Sequence, residues 1–211
     1  MTMIDTFDSR ALRRTDGYGQ RFMSPGSYRY GLVAAGPGPV ITGHHYSVDV
    51  LPSAEADPSM HQHNIVVTTD GTRFTPDNDA VTIEEGDLVM WNCPHATTTP
   101  FTVVGDQPFF DSSLLTNECG FSHAFGSPGV YRWIDANGSG IGGVVRVTNP
   151  ECSTPDDFRR WRESLTAGTL VMIADGQAEP AEVEIVTGQT VYFAVMTGPG
   201  ITITDARALY S

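Results

Sequence analysis

Short apolar runs bounded by Gly, Pro, Asn and Asp recur along the whole chain. IVVTTD (65–70), AVTIEEGDLVMW (80–91), FTVVGD (101–106), VYRWID (130–135), GGVVRVTN (142–149) and TVYFAVM (190–196) are rich in Val, Ile, Thr and aromatic residues. Such side chains fit a pleated, half-buried surface, so each run predicts a strand. One stretch has helical character: TPDDFRRWRESL (154–165), with Thr154 or Asp156 as the N-cap. The pattern predicts an all-β protein with one short helix.

The pattern also repeats. Residues 7–30 read FDSRALRRTDGYGQRFMSPGSYRY and residues 110–133 read FDSSLLTNECGFSHAFGSPGVYRW, identical at eleven of 24 positions at an offset of 103. Ordinary residue frequencies give roughly one or two matches, so the segments are a duplication. Each SPG predicts a tight turn, with Pro presetting φ and Gly taking a positive one. A weaker pair, residues 65–91 and 170–193, agrees in pattern at an offset of 102. The expected organisation is one complete domain over 53–150 and a second split across the chain ends, 1–52 plus 166–211, with 151–165 as the linking helix. The second copy thus reads as circularly permuted. Its closure within one chain or between protomers, as a domain swap, is left open by the sequence.

FTPDNDAVTIEEGDLVMWN, PFTVVGD, FDSSLL, GFSHAFGSPGVYRW and GSGIGGVVRV follow one another over about ninety residues. In this order they resemble the cupredoxin family, plastocyanin-like Greek-key β-sandwiches. The resemblance implies two cupredoxin-like Greek-key β-sandwich domains. Members with blue copper use two His, one Cys and a weak axial Met. The matching positions here hold Phe101, Ile134, Asn137 and Ile141, and in the split copy Ile201, Gly31 and about Ala34. Taking His95 as the first His still leaves no Cys, so a thiolate-ligated blue site is not expected.

Other residues offer different chemistry. His44-His45 and MHQHNIVV, with His61 and His63 at i, i+2 on one strand face, form a donor set suited to divalent copper or zinc. Two-domain cupredoxins place a non-blue copper at domain interfaces, so the resemblance makes His44, His45, His61 and His63 the first-choice metal ligands. Cys93, His95 and Cys119 are the second choice, with a Cys93–Cys119 disulfide as the alternative use of the thiols. His123 is expected to be a packed or surface strand residue. The functional expectation is a cupredoxin-like metalloprotein with a non-blue, His-rich copper or zinc site. As an enzyme it would be a copper-dependent oxidoreductase. The alternative is a metal-free scaffold that binds a small ligand or a partner protein.

Composition narrows the partners. Net charge is −13, which disfavours nucleic acid and anionic membranes. All twelve basic residues are Arg, so lysine Schiff-base chemistry is excluded. MTMIDTFDSR has no apolar core of a leader and no apolar run is of membrane-spanning length, so a cytoplasmic, homo-oligomeric protein is expected.

Overall fold

A computed structural model describes residues 6–36, 43–53, 60–94 and 99–209. The chain is all-β with one short α-helix, as the pattern predicted. The strands are β1 (Asp16–Arg21), β2 (Gly26–Ala34), β3 (Tyr46–Leu51), β4 (Gln62–Thr69), β5 (Phe74–Pro76), β6 (Ala80–Glu84), β7 (Leu88–Asn92) and β8 (Phe101–Gly105). They continue with β9 (Cys119–Ala124), β10 (Gly129–Asp135), β11 (Gly142–Thr148), β12 (Thr169–Ala174), β13 (Gln177–Glu179), β14 (Glu182–Val186), β15 (Thr190–Val195) and β16 (Ile203–Asp205). The helix α1 (Pro155–Ser164) lies between β11 and β12. Thr154 is its N-cap: its hydroxyl accepts the Asp157 N–H at 3.2 Å, while the Asp157 carboxylate accepts the Thr154 N–H at 2.9 Å. Trp161 fastens it by donating its indole N–H to the Thr187 carbonyl at 2.9 Å.

The strands form one eight-stranded sheet, β13-β12-β15-β9-β1-β7-β4-β5, and two four-stranded sheets, β14-β11-β10-β16 and β6-β3-β2-β8. Each small sheet covers one half of the large one. Tyr30 on β2 meets Trp91 on β7 at 5.3 Å between rings, and Trp133 on β10 meets Phe193 on β15 at 5.1 Å. Two sandwiches therefore share one continuous sheet. The seam is β1 against β9, where Tyr18 pairs with Phe121. These two residues are equivalents at the offset of 103, so a pseudo-two-fold axis passes between them.

The pairing corrects the expected partition. Residues 26–51 join residues 80–105 in one small sheet, and residues 129–148 join 182–205 in the other. The halves thus follow one another along the chain, β1–β8 then β9–β16, and α1 lies inside the second. A repeat establishes which segments are equivalent; it does not establish which of them share a core.

One element does cross between the halves. Phe7 packs on Phe121, Phe125, Phe193 and His123 of the second half, and the Ser9 N–H donates to the Ile203 carbonyl. Its equivalent, Phe110, packs on Tyr18, Phe22, Tyr30 and Trp91 of the first half, where the Ser112 N–H donates to Val103. Each repeated FDS therefore plugs the core of the half on the far side of the adjoining seam strand. In this single chain the second half is closed by the segment that precedes β1.

The repeated SPG-x-Y also has a physical reason. Gly26 takes the expected positive φ, 157°, whereas Gly129 begins β10 without one. In both copies the turn is tied by the tyrosine: Tyr28 donates its hydroxyl to the Ser24 carbonyl at 2.9 Å and Tyr131 to the Ser127 carbonyl at 2.8 Å.

Candidate functional site

Strand alternation puts Asp16, Tyr18 and Gln20 of β1 on the core face of the large sheet, and Gly17 and Gly19 on its outer face. Across the seam Gly120 and Ser122 share that outer face. The glycines leave room that neighbours occupy: a Cβ on Gly19 would stand 2.5 Å from the Met90 sulfur and 2.6 Å from the Tyr192 hydroxyl. Beside this glycine floor lies a cleft of about 730 Å³. Its walls come from five adjacent strands: Gln62 and Asn64 on β4, Met90 and Asn92 on β7, Gly17 on β1, Ser122 on β9 and Thr190 on β15. Arg13, Arg14 and Thr15 form the rim where the chain enters β1, and Asp16 and His123 border it.

The rim is held from the core side. Asp16 accepts the Arg13 N–H at 2.8 Å, and the Asp16 N–H donates to the Arg13 carbonyl at 2.9 Å, closing the turn. The other Asp16 oxygen is 2.6 Å from His123 Nδ1. Both residues are buried, and Phe7 and Phe125 flank the imidazole at 5.1 and 4.6 Å. With Nδ1–H donating to the carboxylate, His123 keeps Nε2 free; that atom is buried without a partner among the described residues. Burial raises the Asp16 pKa above the usual carboxylate range, and the hydrogen bond from His123 only partly offsets this.

His61 and His63 share a strand face, as their spacing predicted, and what they meet is Asp87. His63 Nε2 is 2.8 Å from Asp87 Oδ2, and His61 Nδ1 is 3.8 Å from Oδ1. Asp87 also accepts the backbone N–H groups of His61 and Glu84 at 2.9 and 3.1 Å. Burial works against its charge, but these donors hold its pKa below the usual value. His44 and His45 stand apart from this pair in the chain path, leading into β3 of a small sheet, whereas His61 and His63 open β4 of the large one. Among the described residues no group of three or more His, Cys, Asp or Glu side chains is arranged to hold a metal ion.

Of the second-choice set, Cys93 and Cys119 are among the described residues. Cys93 and Cys119 are buried and not joined in a disulfide. Asn92, next to Cys93, is level with Gly17 on β1, whereas Cys119 is level with Gln20. That separation is about 10 Å along the strand, because Cys93 follows β7 while Cys119 begins β9, and the two strands run parallel to each other. Burial pushes the Cys119 thiol up to about 12, so by itself it is protonated at neutral pH. His95 lies outside the described residues.

Asp16, Arg13 and Arg14 were not singled out from the sequence. Their signal was available: RRTD is the part of the first repeat that differs most in charge from its counterpart, TNEC. No helix among the described residues is long and apolar enough to cross a membrane. Comparison with protein-family models, curated proteins and solved structures gives no match.

Proposed function

We propose that this chain is a cupredoxin-like β-sandwich protein that binds a small polar molecule directly with its side chains, in the cleft over the seam of its halves. One observation carries this reading. Amide and hydroxyl side chains from both halves line a single cleft of about 730 Å³ beside the glycine floor. A cavity with convergent polar groups at a junction of halves is the usual form of a ligand site. The β-sandwich part of this description rests on the paired-sheet architecture of each half, and the cupredoxin-like part on the sequence resemblance alone, whose motifs are divided between the two halves.

The test is a chemical-shift titration with millimolar mixtures of hydroxylated and amide-bearing small molecules. Shifts are expected to cluster at Gly17, Met90, Asn92 and Ser122 and to vanish in Ser122→Phe, which fills the cleft. Shifts scattered over the surface, or unchanged by Ser122→Phe, would sink the reading.

A second reading, a copper or zinc protein of oxidoreductase type, is favoured by the convergence of His61 and His63 on one buried carboxylate. Imidazole and carboxylate are donor types that either metal accepts, although as placed the three side chains are hydrogen-bonded to one another rather than arranged around an ion. Elemental analysis after copper loading tests it. Binding of about one equivalent, lost in His61→Ala/His63→Ala, supports a metal site; no difference between the two proteins removes it.

A further inference from the structure

We infer that the ligand of the cleft carries an anionic group, a phosphate or carboxylate, and that Arg13 and Arg14 hold the charge. This rests on the reading of the cleft as a binding site and names the chemistry it takes.

The duplication supplies an internal control. The turn entering β9, Thr116-Asn117-Glu118, is equivalent to Arg13-Arg14-Thr15. The two turns dock on their neighbours reciprocally: the Ala124 N–H donates to Thr15 O at 2.9 Å and the Arg21 N–H to Glu118 O at 2.7 Å. The fold therefore builds this turn without arginines. Where they occur, both side chains are exposed, and neither makes an ion pair among the described residues. At the opposite turn Glu118 instead faces Arg21 at 3.5 Å. In a chain of net charge −13, two unneutralised guanidiniums at a cleft rim are an unusual concentration of positive charge. Among the described residues the one carboxylate bordering the cleft, Asp16, is already engaged by His123 and the Arg13 N–H.

Geometry limits the rest of the ligand. From β1 to β4 is two strand spacings, about 10 Å. A body the size of a monosaccharide thus reaches from the arginine turn to Asn92 and Asn64, whose amides both donate and accept hydrogen bonds. Guanidinium groups suit phosphate and carboxylate through paired N–H donors. Asp16 and His123 act as positioning residues: they fix the turn that aims the arginines.

The probes are a hexose phosphate, glucuronate and glucose, titrated into the full chain and followed by calorimetry and chemical shift. Both anionic probes are expected to bind at least about 10-fold tighter than glucose, with shifts at Asn92 and Ser122. In Arg13→Ala/Arg14→Ala the preference for the anionic probes over glucose should disappear. Arg159→Ala/Arg160→Ala, on exposed α1, should leave the preference intact. His123→Gln should weaken the anionic probes more than glucose. Glucose binding in the cleft as tightly as the anions overturns the inference and leaves the binding site standing. No cleft shifts with any of the three overturn both.

Discussion

The two ends of the β1–β9 seam are equivalent places with different chemistry. At one end Asp16 faces His123; at the other Cys119 faces Gln20. The duplication makes Asp16 the counterpart of Cys119, and His123 that of Gln20. One end is a buried ionisable pair locking an arginine-bearing turn. The other is neutral: the Gln20 amide donates to the carbonyls of Arg21, Asn117 and Glu118 and accepts the Tyr18 hydroxyl. Both solutions satisfy the backbone at a strand entry, but only the first places positive charge over a cleft. A second pair of equivalents behaves alike. Asp87 and Gln189 each cap their turn, accepting from Glu84 N–H and Val186 N–H respectively. Asp87, all acceptor, then gathers the donors of His61 and His63. Gln189 donates instead to the Ser164 carbonyl at the end of α1. The neighbour decides which side chain a shared turn carries.

The sharpest break of this comparison removes one partner at each end of the seam. His123→Leu leaves the Asp16 carboxylate buried without its partner and should cost about 3–5 kcal/mol of unfolding free energy. Gln20→Leu, which leaves only neutral groups unpaired, should cost about 1–3 kcal/mol. Urea denaturation of both variants decides; equal losses would mean the ionisable pair is no more than a packed polar contact.

The glycine floor gives a smaller contrast. A Cβ on Gly120 would lie 2.7 Å from the Phe193 carbonyl oxygen and 2.5 Å from the Tyr192 ring, whereas Gly19 would meet only the ends of Met90 and Tyr192. Gly120→Ala should therefore destabilise by about 1–3 kcal/mol. Gly19→Ala should lose clearly less in the same thermal-melt series, because a methionine can swing aside.

The smallest effect is one of pH, and its sign differs between two buried carboxylates. Asp87, with a lowered folded pKa, contributes stability above its unfolded value near about 3.8, and this is lost as pH falls through the folded value. Asp16, with a raised pKa, contributes stability that is present below the unfolded value and lost as pH rises through the folded one. Asp87→Asn should flatten the acid-side fall of stability, and Asp16→Asn should remove a decline on the rising side. Denaturation midpoints measured across the acid range report both slopes, and slopes of the same sign would contradict the assignment.

Much of the fold was legible. Alternating and β-branched runs marked the principal strands, the capping residues marked α1 at its true start, and the repeat marked the equivalent segments. The site was less so. HxH spacing did put His61 and His63 on one face, but a carboxylate 24 residues away from His63 met them there. His123 looked like a packed strand residue because nothing local announces Asp16, 107 positions earlier. The glycines of β1 form the floor beneath side chains of both halves, Met90 and Tyr192 among them.

By itself the sequence determined that the chain is all-β and that it is duplicated. These follow from side-chain period and residue identity, which are local properties. Only the tertiary structure decided that the copies run in tandem with FDS plugs crossing the seam. It also decided that Asp16 reaches His123, that Cys93 and Cys119 stand at opposite ends of parallel strands, and that two arginines border a polar cleft. Those facts depend on strand register and on which surfaces share a core, and a one-dimensional pattern of equivalent segments leaves both unspecified.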